Sequence, residues 1–317
     1  MLVMAAVLPW LQGCVHAPQP AAMPAHRSLA ERVAAEGVVE VPLVIQHGYP
    51  FTPGEVNGRH GYFMIDNGSP FRFFLNSQYA PVTVGPEVGR GRAGSGQLVV
   101  VRRGFGVTSL SLGPDAAREV RSEALASGEG IMAADFGFID VNVRPQFLGF
   151  VGDPWLRDFA FSLRYAPPRW LLADAADGAQ RLLQGSERVV LIRFEGREGS
   201  LPFATLQVGG MELRGRFDTG TPGVLELTPE FKLRLERAGA LRCSEAPDGG
   251  TERQGGGVLQ CRLQALRYGT VTLDIDPLNT SIGEVNRITL GTSLLRRHVS
   301  VWNLRASTLE LRRETGR

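Results

Sequence analysis

Arg216-Phe217-Asp218-Thr219-Gly220-Thr221-Pro222 runs from an apolar strand straight into an acidic turn. A second, imperfect copy lies 152 residues earlier: Phe63-Met64-Ile65-Asp66-Asn67-Gly68-Ser69-Pro70. In both, an apolar residue precedes an Asp, a Gly sits two places after it, and a hydroxyl residue and a Pro follow. A single Asp-x-Gly is ordinary turn chemistry, because the Asp side chain bonds nearby backbone and Gly relaxes φ. Two copies at domain-scale separation point to a duplicated module in which each half gives one carboxylate to a shared site.

The surroundings of the two turns repeat in the same order. The glycine-rich run 85–96 leads into Leu98-Val99-Val100-Val101, and the run 248–257 leads into the strand-like 258–266. Gly89-Arg90-Gly91-Arg92-Ala93-Gly94 formally matches a dinucleotide fingerprint. That motif needs a helix after it, and here a strand-like run follows, so it reads as a glycine-tipped hairpin. Phe150-Val151-Gly152 and Thr289-Leu290-Gly291 then lead into similar apolar-Leu-Arg endings. Val38–Gln46, Tyr62–Ile65, Phe71–Leu75 and Leu201–Val208 read as strands. Leu29–Glu36 reads as a short helix. Thr228 to Ala238 is the strongest helix, with Thr228 as N-cap, Pro229 at the first position and Gly239 as the stop.

The 317 residues are 43% hydrophobic and 21% charged, the mix of an ordinary globular protein. Lys+Arg 34 against Asp+Glu 32 leaves a net charge of +2, which does not call for nucleic acid. Gly 39 and Pro 20 favour an all-β chain of many short strands. Met1 to Leu11 is apolar and too short to span a bilayer, as in a signal peptide. It ends in Leu11-Gln12-Gly13-Cys14, which resembles the lipobox of bacterial lipoproteins, although no basic residue precedes Arg27. That resemblance implies a signal peptide over 1–13, a lipid on Cys14 and a periplasm-facing lipoprotein of the bacterial cell envelope. A plain signal peptide or a buried N-terminal segment is the alternative. Residues 14–37 read as a tether, since 16–25 are rich in Pro and Ala. Cys243 and Cys261 remain as a pair, either a disulfide worth about 3 kcal/mol or two buried thiols that never meet.

From Val38 to Arg312 the chain resembles the pepsin/retropepsin aspartic protease superfamily, in particular bacterial retropepsin-like proteins. The carriers are Asp66-Asn67-Gly68-Ser69, Asp218-Thr219-Gly220-Thr221, the glycine-rich hairpins, and the two apolar-Gly segments. The resemblance implies an all-β, bilobal acid-protease fold of two β-barrel halves related by a pseudo-two-fold axis. The lobes would span 38–173 and 188–313, joined by a linker at 174–187. Asp66 and Asp218 would be the catalytic dyad, and Gly91, Gly94 and Gly96 would belong to a flap, with a second flap at 248–257.

The chemistry fits those residue types. Hydrolysing an amide with water needs one group to take a proton and one to give it. Two close carboxylates cannot both ionise easily, so they share a proton. Gly68 and Gly220 let backbone approach the carboxylates, and the Ser69 and Thr221 hydroxyls are expected to hold the outer carboxylate oxygens. Asn67 stands where the family has Thr or Ser, so the grip between the two loops is expected to be asymmetric, with Thr219 on one side only. The implied activity is that of an aspartic endopeptidase acting on peptide or protein, monomeric, with no metal and no cofactor. A non-catalytic lipoprotein that binds extended peptides by strand addition is the alternative. His16, His26, His47, His60 and His298 lack the spacing of a zinc pair, and no Walker A loop or Gly-x-Ser-x-Gly elbow occurs.

Overall fold

The computed structural model describes residues 28–93, 96–113, 130–245 and 259–314. It is an all-β architecture of three sheets with a few short helices. The expected signal peptide, Cys14, most of the tether, Gly94 and the 248–257 run lie outside the described residues.

One sheet of nine strands is built from residues 44–152 alone, and one of ten strands from residues 196–290. The third has six strands in the order Val38–Val41, Pro168–Asp174, Phe159–Tyr165, Val299–Asn303, Thr308–Glu314 and Ser186–Arg193. It therefore draws strands from both sides of the expected linker. That linker is itself docked: a 3-10 turn, Gly178–Leu183, buries Leu182 against Ala160, Ala173 and Val301.

The expected tether also ends early. Leu29–Glu36 is a helix fixed by a capping box, in which the Ser28 hydroxyl accepts from Glu31 N at 3.2 Å and Glu31 accepts from Ser28 N at 2.7 Å. Leu29 and Val33, one turn apart, are buried in the core, so this stretch is packed rather than tethering. Among the described residues, no helix is long and apolar enough to cross a membrane.

The three-strand unit that carries each acidic turn recurs. Strand Arg59–Asp66 pairs in parallel with Phe147–Gly152, matching Ile65 to Val151 and Asp66 to Gly152. Phe147–Gly152 pairs on its other edge, antiparallel, with Phe73–Asn76. In the same way Met211–Phe217 lies parallel to Arg287–Leu290, with Phe217 beside Leu290, and Arg287–Leu290 lies antiparallel to Val224–Leu227. The late strand thus threads between the two strands that the acidic turn connects. It passes so close that a Cβ on Gly152 would sit 2.0 Å from Phe71 O, and one on Gly291 would sit 1.9 Å from Thr221 O. Only glycine fits there.

Candidate active site

Each aspartate leaves its strand into a turn that its own carboxylate closes. Gly68 N donates to Asp66 Oδ1 at 2.7 Å, and Gly220 N donates to Asp218 Oδ1 at 2.8 Å. Behind each turn the threading segment repeats its bonds: Asp153 N donates to Ser69 O at 3.0 Å, and Thr292 N to Thr221 O at 3.0 Å.

The two turns are joined to each other by reciprocal bonds. Asn67 N donates to Thr219 Oγ1 at 3.1 Å, and Thr219 N donates to Asn67 Oδ1 at 2.7 Å. Thr219 Oγ1 donates to Ile65 O at 2.9 Å, and Asn67 Nδ2 donates to Phe217 O at 3.0 Å. The expected asymmetry of the grip is thus corrected. A threonine hydroxyl donates and accepts at one atom, and the asparagine amide does the same with two atoms. Both side chains are fully buried, so every one of these bonds is shielded from water.

The grip brings the carboxyls together. A Cβ on Gly68 would stand 2.9 Å from Asp66 Oδ1 and 3.2 Å from both carboxylate oxygens of Asp218. One on Gly220 would stand 2.4 Å from Asp66 Oδ1. The two carboxyls therefore lie close together, and each perturbs the other. Both residues keep some solvent access, yet protein atoms crowd their carboxyls, and this desolvation is the largest influence on each. It raises Asp66 well above the usual carboxylate range, and the charge of Asp218 raises it further, while the Gly68 and Ser69 amides pull it back. Asp218 is raised as well, but the Gly220 amide, the bond from Asp66 and the Arg216 guanidinium oppose the rise. Coupled so closely, the two carboxyls titrate as a unit and not as separate groups.

The hydroxyls expected on the outer carboxylate oxygens do other things. Thr221 Oγ1 accepts from Gly223 N at 3.4 Å, and the buried Ser69 hydroxyl has no hydrogen-bond partner among the described residues. Ser69 Oγ is turned toward Gly152, where a Cβ would stand 3.0 Å from it. Backbone amides at Gly68 and Gly220 supply the donors instead. Of the expected flap, Gly91 lies in strand Thr83–Arg92, which pairs antiparallel with Leu98–Phe105, and Gly96 takes φ 86 in the turn between them. Next to the tip, Ala93 packs on the apolar cluster that includes Tyr49 and Phe71. Cys243 and Cys261, directly opposite on neighbouring strands, form a disulfide.

Three participants carry no motif and were not legible as site residues. Tyr49 is one: it lies two residues before Phe51, which pairs with Met64 two residues before Asp66, and it feels the charges of both aspartates. Burial, then the charges of Asp218 and Asp66, raise the Tyr49 phenol. Arg216 is the second, a half-buried cation two residues before Asp218. The third is a clamp on the Asp66 turn: Ser200 Oγ donates to Gly68 O, and Arg197 binds both Ser200 O and the buried Asp153 carboxylate. Counting strand register from the Asn57-Gly58 turn would have found Tyr49; nothing local marks the clamp.

Among the described residues there is no cluster of side chains able to hold a metal ion. What the site does hold is two closely apposed, coupled carboxyls, the kind of pair in which one group can give a proton while the other takes one.

No protein-family model matches the chain, and no curated protein sequence matches it. Similar solved structures include basic 7S globulin from soybean, at 11% identity and TM-score 0.49, covering 87% of this chain and 94% of that one. Conglutin gamma, a basic 7S globulin from lupine seeds, is similar at 12% identity and TM-score 0.49, covering 88% and 95%. Likeness at this level assigns neither a family nor an activity.

Proposed function

We propose that this chain is an aspartic endopeptidase in which Asp66 and Asp218 share one proton. The observation that carries the reading is the close approach of the two carboxyls, held by four reciprocal bonds between the turns. On this reading Asp218 is the ionised partner and takes a proton from water as the water oxygen attacks the peptide carbonyl. Asp66 gives its proton to the carbonyl oxygen, forming a tetrahedral diol. Collapse returns that proton to Asp66, breaks the C–N bond and sends the proton on Asp218 to the leaving amine. The sequence of steps requires neither a metal nor an organic cofactor.

On this reading residues 38–173 and 188–313 are two lobes of a pepsin-like fold related by a pseudo-two-fold axis, and one chain suffices as a monomer. The N-terminal pattern Leu11-Gln12-Gly13-Cys14 supports a lipid anchor at Cys14 and a periplasm-facing position. The test is cleavage of a denatured protein by the full chain from about pH 3 to 7, beside Asp218→Asn. Cleavage by the native chain alone supports the proposal. Equal cleavage by both, or none by either at any pH, overturns it and leaves the peptide-binding lipoprotein.

A further inference from the structure

The two flanks of the carboxyl pair have opposite chemistry. Alternate residues of a strand share a face, so Met64 lies on the face of Asp66 and Arg216 on the face of Asp218. Parallel pairing sets Phe150 beside Met64 and Thr289 beside Arg216. Around Met64 the face is a buried aromatic cluster, with Phe74, Phe136, Phe147 and Phe150 in contact ring to ring. Its margin is only partly buried, at Tyr49, Phe71, Met132 and Phe138.

Around Arg216 the face is ionic. Arg287 is paired with Glu226 at 2.6 Å, and Arg214 with Glu198. Arg216 makes its close bonds to a neutral group: Nη2 and Nε donate to Thr289 Oγ1 at 2.7 and 3.2 Å. Its one ion pair among the described residues is a 3.9 Å contact with Glu198, which Arg214 already occupies. Glu198 and Glu226 thus closely answer Arg214 and Arg287, while Arg216 shares Glu198 only at 3.9 Å and feels Asp218 through its charge alone. The Arg216 side chain is 20% exposed. A half-buried cation whose close hydrogen bonds go to a neutral hydroxyl has donors to spare, and an incoming carboxylate would take them in charge-assisted bonds.

We infer that the substrate is a peptide with an apolar or aromatic side chain on the Asp66 flank and an acidic side chain on the Arg216 flank of the cleaved bond. This rests on the reading of the carboxyl pair as a peptide site. The test uses peptides carrying Phe-Glu, Glu-Phe, Phe-Leu, Leu-Phe, Phe-Lys and Lys-Phe at one central bond, with the full chain and Arg216→Met. Each peptide is also made with that bond reduced to an amine, and its Kd is measured.

The expected result is that one of the two Glu peptides is cleaved about 10-fold faster than its Leu counterpart, with Lys slowest. Arg216→Met brings the Glu-to-Leu ratio of rates, and of Kd for the reduced peptides, close to one, whatever it does to the absolute rate. If nothing is cleaved but the reduced Glu peptide binds about 10-fold tighter than Leu and Lys, the inference stands and hydrolysis falls. Cleavage or binding that does not distinguish Glu from Leu overturns the inference and leaves the endopeptidase reading untouched. Binding of none of the peptides overturns it as well.

Discussion

Asn67 and Thr219 bond each other's backbone N–H and reach past each other to the carbonyls of Phe217 and Ile65. Different side chains perform the same four bonds. The half of the chain that departs from the D-T-G pattern is therefore held as firmly as the half that keeps it.

Replacing Asn67 tests this directly. Asn67→Thr keeps one donor and one acceptor at the grip and should leave the melting temperature and activity close to native. Asn67→Ala leaves Phe217 O and Thr219 N buried without partners and should cost roughly 2–4 kcal/mol in denaturant unfolding. Equal losses in both variants would show that the amide itself is required.

The glycines of the turns are predicted to be irreplaceable for different reasons. A Cβ on Gly220 falls 2.4 Å from the Asp66 carboxyl, so Gly220→Ala should cut the rate by at least about 10²-fold by displacing a reacting group. Gly291→Ala strikes the Thr221 carbonyl at 1.9 Å and should lower stability by about 3 kcal/mol, read as a shifted unfolding midpoint.

Burial raises Asp66, and this sets the sign of its pH linkage. The folded state binds this proton more tightly than the unfolded chain, where an Asp titrates near about 3.9. Its contribution to stability is full below that value and is lost as pH rises toward the raised folded pKa. Asp66→Asn should therefore melt higher than the native protein at neutral pH. The gap should close as the pH falls through about 4. A constant gap across the range would contradict the raised carboxyl.

Arg216 opposes the rise in Asp218. With Arg216→Met, Asp218 loses that help and ionises only at higher pH. The acid limb of the pH–rate profile should move upward, with the alkaline limb moving less. An unmoved acid limb would remove Arg216 from the electrostatics of the pair.

Much of this was legible in the chain itself, and what was not has physical reasons. The turns, the threading Gly segments and the helix Pro229–Arg237 with its Thr228 cap are local signals, and the structure carries them where expected. Strand Tyr49–Val56 was hidden because Pro50 and Pro53 argue against a central strand. It is nonetheless paired on both edges, with Arg59–Asp66 along one and with Val44–Gln46 and Leu110–Leu112 along the other. The six-stranded sheet joins segments more than a hundred residues apart, as in the Ala160–Asn303 pair, and no local pattern encodes that. The bonds of Asn67 depend on the facing turn, so its spelling alone made it look like a defect. Arg216 was in plain view, but its missing carboxylate is a fact of packing.

The central claim is that Asp66 and Asp218 share a proton, and it can be measured without knowing any substrate. Carboxyl ¹³C NMR titration of the full chain, assigned with Asp66→Asn and Asp218→Asn, reads it directly. The account predicts that the Asp66 carboxyl stays protonated well above the usual carboxylate range, and that its midpoint drops when Asp218 is replaced by Asn. Two carboxyls that titrate independently in the ordinary range, each unmoved by loss of the other, would contradict it.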